Sequence, residues 1–129
     1  MSERQAASNI QIVQEMMEGA GQEPVMKKYL AEDVVLSVAA GMPYGKDYIG
    51  LQGYRDIVGA LMNSWTDLAF APAEFATVGD KVIAVSRITG KLASGKAIDQ
   101  PFCEIWELKN GKIVRVTPFY YDTKEIADG

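Results

Sequence analysis

The hydrophobic period of this chain changes once, from 3.6 residues to two, and that switch constrains the fold more than any other feature. Before Asp67 the apolar positions recur at helical spacing, and after it they alternate. Runs of helix followed by runs of strand, with no linker between them, predict an α+β fold with the helices laid on one antiparallel sheet. The 129 residues are enough for one core, so residues 1–129 are read as a single domain.

Ser8 and Gln11 have capping-box spacing, and Ile10, Val13, Met16 and Met17 then fall on one helical face, stopped by Gly19 and Gly21. Pro24 suits the first position of a short second helix whose apolar side is Val25, Met26, Tyr29 and Leu30. The β-branched run after Asp33 reads as a strand, and the stretch from Gly41 to Asp47 as a loop. A third helix follows Gly50, with Leu51, Tyr54, Ile57, Val58, Leu61, Met62 and Trp65 on its stripe. Beyond Asp67 the alternation predicts a strand over 68–78 interrupted at Pro72, then strands over 81–91, 97–108 and 112–121. Their turns fall at Gly79-Asp80, Ser94-Gly95 and Asn110-Gly111.

Composition excludes whole classes of chemistry. The chain has no histidine and one cysteine, so histidine-based triads, histidine-ligated zinc or haem, thiolate zinc sites and internal disulfides are all ruled out. No cofactor or metal is expected. A net charge of −4 argues against a nucleic-acid surface, and no apolar run approaches the roughly 20 residues of a membrane span. Met1-Ser2-Glu3-Arg4-Gln5 lacks the layout of a secretory leader, and with lone Cys103 this gives a cytoplasmic expectation.

Several segments, in order, carry a resemblance: Tyr29-Leu30-Ala31-Glu32-Asp33-Val34-Val35, then Tyr44-Gly45-Lys46-Asp47, then Leu92-Ala93-Ser94-Gly95-Lys96. Glu104-Ile105-Trp106-Glu107-Leu108-Lys109-Asn110-Gly111-Lys112-Ile113 and the closing Phe119-Tyr120-Tyr121-Asp122 complete it. Together they resemble the SnoaL-like and ketosteroid-isomerase-like families of the nuclear-transport-factor-2-like cone fold. The resemblance implies a curved, mostly antiparallel sheet wrapped around N-terminal helices, a pocket between them, and a homodimer through the outer sheet face. Fold alone does not assign function, because the cone hosts isomerases, polyketide cyclases, epoxide hydrolases and binding proteins.

Those enzymes' catalytic positions are not matched. The isomerase base falls on Val38, the hydrolase positions on Leu36, Val38, Val85 and Arg87, and the last-strand acid on Pro118 or Phe119. The resemblance puts Ile98, Gln100, Phe102, Glu104 and Trp106 on the inner face of the strand over 97–108. It puts Ile83, Val85, Arg87 and Thr89 on that of the strand before. Folding about Ser94-Gly95 then sets Arg87 opposite Phe102, and an interior Arg87–Glu104 pair completed by Gln100 is expected. Glu104 and Arg87 are the candidate acid–base residues. Val38, Met62, Trp65, Gln100, Phe102, Trp106 and Tyr121 are the candidate ligand contacts, with the choice between Tyr120 and Tyr121 left open by alternation. Asp122 reads as the cap of a short C-terminal helix, and Cys103 as an inert outward residue beside Ile105 and Val82. Two functions stay open: a pocket protein for a hydrophobic carbonyl-type molecule, or a cofactor-free isomerase, cyclase or hydrolase.

Overall fold

Helix formation begins earlier than the sequence reading expects. In the computed structural model, which describes residues 2–19 and 21–129, α1 spans Glu3–Glu18, and its N-cap is Ser2, whose hydroxyl accepts from the Gln5 amide at 3.1 Å. Ser2 and Gln5 repeat the spacing of Ser8 and Gln11 six residues upstream, so Ser8 lies inside the helix. Met1, which opened the N-terminal reading, and Ala20 lie outside the described residues. The stripe Asn9, Val13 and Met16 is buried. A short α2, Glu23–Tyr29, follows with Pro24 in its first turn, and Leu30, expected on that helix, instead opens β1, Leu30–Ser37.

Asp47, expected as the last loop residue, instead opens a short strand β2, Asp47–Ile49, which pairs antiparallel with β1. Helix α3 covers Gly50–Ser64. Trp65 leaves the helix with extended angles (φ −128°, ψ 152°) and starts β3, Trp65–Phe70. The strand expected over 68–78 is therefore two strands, β3 and β4 (Glu74–Val78), divided around Pro72, whose nitrogen has no hydrogen to give a ladder. They lie along the same edge of β5, Lys81–Leu92, β3 at its C-terminal end and β4 at its start. Gly90 permits the bulge of β3 to come close: a Cβ there would meet the Thr66 carbonyl and the Trp65 ring, both at 3.1 Å.

Strands β6, Ala97–Lys109, and β7, Lys112–Tyr120, complete the sheet, joined by a turn with positive φ at both Asn110 (51°) and Gly111 (77°). The order is β2-β1-β7-β6-β5-β3, antiparallel throughout except for β1 against β7. Helix α4, Thr123–Asp128, ends the chain, and Asp122 caps it by accepting from the Glu125 amide. Helices α1, α2 and α3 cover the concave face, and the most deeply buried side chains there include Val13, Met16, Met26, Val82, Ile88, Ile113 and Val116. No described helix is long and apolar enough to cross a membrane.

The β5–β6 register corrects the expected interior pair. The Leu92 amide donates to the Lys96 carbonyl and the Gly95 amide to the Leu92 carbonyl, which makes the loop three residues, Ala93-Ser94-Gly95, with positive φ at Gly95 (92°). A three-residue loop shifts the pairing by one residue relative to a two-residue turn about Ser94-Gly95. Arg87 therefore faces Pro101, and Ser86 faces Phe102. A one-residue slip exchanges the faces of the whole strand. Val82, Ala84, Ser86 and Ile88 point inward, while Ile83, Val85, Arg87 and Thr89 lie on the outer face. Val82 is fully buried, not part of the outer surface beside Cys103 and Ile105.

Candidate functional site

Between the helices and the sheet lies a cavity of about 90 Å³. Met16 and Met17 come from α1, Tyr54, Ile57, Val58 and Leu61 from α3, Leu36 from β1, Phe70 from β3, and Glu104 and Trp106 from β6. The helical residues reach it because the spacing 54-57-58-61 keeps one face of α3 turned to the sheet. Glu104 reaches it because β6 alternates, so Gln100, Phe102, Glu104 and Trp106 all project inward. Apart from Glu104 and the phenol of Tyr54, the walls are largely hydrocarbon and thioether.

Glu104 stands where nothing can neutralise it. Its cross-strand neighbours are Ala84 on β5 and Pro118 on β7, which have no side-chain donor. Among the described residues it forms no hydrogen bond and no salt bridge, and it is half-buried in the cavity wall. Burial pushes its carboxyl up to about 7, because the charged form loses its water with no nearby cation in exchange. The same carboxylate, when charged, disfavours ionisation of the tyrosines around it. Burial first and Glu104 second hold the Tyr54 phenol well above its ordinary value, and Tyr120 is raised by burial, by Tyr44 and by Glu104. Both phenols stay neutral donors. Two hydrogen-bonding groups of the chamber wall, the Glu104 carboxyl and the Tyr54 phenol, are left unspent, and the Trp106 indole N–H, closed off from open space, has no partner.

One end of the interior is closed by a different network. The Trp65 indole N–H donates to the Tyr44 hydroxyl at 3.2 Å, Tyr44 and Tyr120 share a hydrogen bond of 2.9 Å, and the Tyr48 hydroxyl donates to the Tyr44 carbonyl at 2.7 Å. Burial raises the Tyr44 phenol, partly offset by its bonds with Tyr120 and Trp65. Phe102 packs behind the chamber-lining Phe70 in a tilted pair (centroids 4.8 Å apart), and Tyr120 meets Phe102 edge-on at 5.1 Å.

Residues 13–116 match the model of the SnoaL-like domain. The chain belongs to the SnoaL-like family. Solved structures with the same fold include a nuclear-transport-factor-2-like protein of unknown function from Burkholderia pseudomallei, at 24% identity and a TM-score of 0.84 over 99% of this chain and 97% of that one. A candidate SnoaL-like polyketide cyclase from Jannaschia shares 18% identity with a TM-score of 0.77 over 89% and 86%. TerC, co-crystallised with polyporic acid, shares 21% with a TM-score of 0.82 over 95% and 99%. No curated protein matches the sequence.

Within this SnoaL-like cone the expected site residues separate. Glu104 and Trp106 line the chamber. Arg87 does not approach Glu104: it lies on the outer face and bonds Asp99 at 2.9 Å, with both side chains about half or more exposed (47% and 66%). Gln100 is buried but committed to α4, donating to the Asp122 carbonyl and the Glu125 carboxylate and accepting from the Asp122 amide. Phe102 packs behind Phe70, outside the chamber wall. Val38 is buried just past β1, and Leu36, two residues earlier on the same face, is the one at the cavity. Tyr121 is 76% exposed beyond the end of β7, and Tyr120 is the inward residue. Met62 and Trp65 border a wider outer groove instead of the chamber. The last-strand acid position that lies inside holds Pro118, with Phe119 outside. Tyr54 was legible only as a stripe residue of α3; its signal was a polar tip on an otherwise hydrocarbon face. Burial raises the Cys103 thiol, with Glu104 adding to it, which leaves it a poor nucleophile. No three described acids or cysteines gather closely enough to hold a metal.

Proposed function

We propose that this protein binds a small apolar molecule through an oxygen acceptor, of which a carbonyl is the simplest, held against the neutral Glu104 carboxyl. The supporting observation is the carboxyl itself: partly buried, without a partner among the described residues, and lining an apolar chamber. A protonated acid there is a hydrogen-bond donor whose partner is missing, and leaving such a group unsatisfied costs about 1–3 kcal/mol. The Tyr54 phenol, neutral and in the same wall, supplies a second donor. Structural neighbours bear on this reading by likeness of fold: TerC was co-crystallised with polyporic acid, and the Jannaschia protein is a candidate polyketide cyclase. We also propose a homodimer through the outer sheet face, where Val85, Cys103 and Phe119 form one cross-strand row.

Ketone affinity measured against pH tests the reading. Binding to the wild type weakens above pH 7, where Glu104 ionises and can no longer donate. Glu104→Gln keeps a donor and removes the pH dependence, and Glu104→Leu binds weakly at every pH. Equal wild-type affinity at pH 5.5 and 8.5 would overturn the assignment. One observation favours an enzymatic second reading: a carboxyl titrating near 7 is populated in both forms at neutral pH and can both take and return a proton. Exchange of a ketone's α-protons for deuterium in heavy water, lost in Glu104→Gln, would establish it.

A further inference from the structure

The chamber is too small to enclose a metabolite. Sites that enclose drug-sized ligands hold roughly 300–1,000 Å³, and this one holds about 90 Å³, room for a functional group and little more. Against it lies an open groove of about 500 Å³ between α3 and β3. Met17, Val58, Leu61 and Phe70 border both spaces, so they form a shared neck. Every side chain lining the groove is apolar, and one of them, Met62, is 76% exposed. Hydrocarbon presented to water in a continuous concave strip is the signature of a surface that something covers. The strip continues through the neck from the unpaired polar groups of the chamber, which points to one occupant spanning both.

Resting on the reading of Glu104 as an oxygen-binding donor, we propose that the ligand is an elongated amphiphile. Its oxygen-bearing head occupies the chamber beside Glu104 and Tyr54, and its extended hydrocarbon body passes the neck to lie along Met62 and Leu68. The head alone is held by polar contacts; the body supplies affinity by removing groove and chain hydrocarbon from water. The two tryptophans report the two spaces separately, since Trp106 lines the chamber and Trp65 the groove.

The test is a series of unbranched methyl ketones from butanone to decanone, titrated at pH 6 and followed by the two indole N–H signals. Short ketones shift the Trp106 signal only. Longer ones shift both, and each methylene within the groove tightens binding by about two- to fourfold. Met62→Glu combined with Leu68→Ser, two changes outside the chamber wall, abolishes the gain with length and leaves butanone binding unchanged. Short ketones that bind with no length dependence, or a length dependence that the double variant keeps, would overturn the groove assignment while the Glu104 reading stands. If no ketone of any length moves the Trp106 signal, the Glu104 reading fails and this inference falls with it.

Discussion

Replacing Glu104 by glutamine should stabilise the fold, and only above a defined pH. The native carboxyl titrates at about 7, against an ordinary 4.5, so between those values the folded protein holds a proton that the unfolded chain has released. Stability then falls as pH rises through this window and levels off above it. At about 1.4 kcal/mol for each tenfold separation, the gap corresponds to a wild-type penalty of about 3 kcal/mol at pH 8. Glutamine is nearly isosteric and does not ionise, so it carries no such penalty. Urea unfolding of both proteins from pH 4 to pH 9 isolates the effect, because every other group titrates alike in the two. The difference in stability should be near zero at pH 4, grow between pH 5 and 7, and reach a plateau of about 3 kcal/mol in favour of the variant. A difference that stays constant with pH would refute the reasoning, since it would mean that the carboxyl keeps its water or has a cation beside it.

Arg87→Ala should cost less than about 1 kcal/mol in urea unfolding and leave ketone affinity unchanged, because the Arg87–Asp99 pair is exposed on the outer face. Gln100→Leu should cost about 2 kcal/mol, since it leaves the Asp122 carbonyl, the Asp122 amide and the Glu125 side chain without their partner; limited proteolysis should then cut near α4 sooner than in the wild type. Val85→Asp or Phe119→Asp, each about half exposed on the outer sheet, should convert a dimer into monomers in sedimentation velocity without altering the unfolding midpoint of the isolated subunit.

Alternation along β6 was legible because its inward residues, Ile98, Gln100, Phe102, Glu104 and Trp106, follow one another without a bulge in that stretch. Strand β5 was not. Val82, Ile83, Ala84 and Val85 are apolar on both faces, so the pattern fixes no face by itself, and the register depends on a loop of two or three residues that Ser94-Gly95 alone does not distinguish. That single residue separates an interior guanidinium from an exposed one. The start of α1 was misplaced for a similar reason: Ser2-Glu3-Arg4-Gln5 and Ser8-Asn9-Ile10-Gln11 carry the same cap signal, and only the packing of α1 chooses between them. Trp65 continued the helical stripe in sequence, yet the sheet claims it through its pairing with Leu92. The resemblance implied a pocket between helices and sheet, but the size and full lining of the chamber lay beyond reading. Its walls come from five elements, and whether a group of apolar residues closes into a solid core or leaves a hollow depends on side-chain volumes that no period records.

The central claim is that one carboxyl, unpaired and stripped of water, sits inside the cone. Carbon-detected NMR of glutamate side-chain carboxyls, with the Glu104 signal assigned by its loss in Glu104→Gln, tests this directly. A midpoint near 7 is the result predicted here, and a midpoint near 4.5 would contradict it.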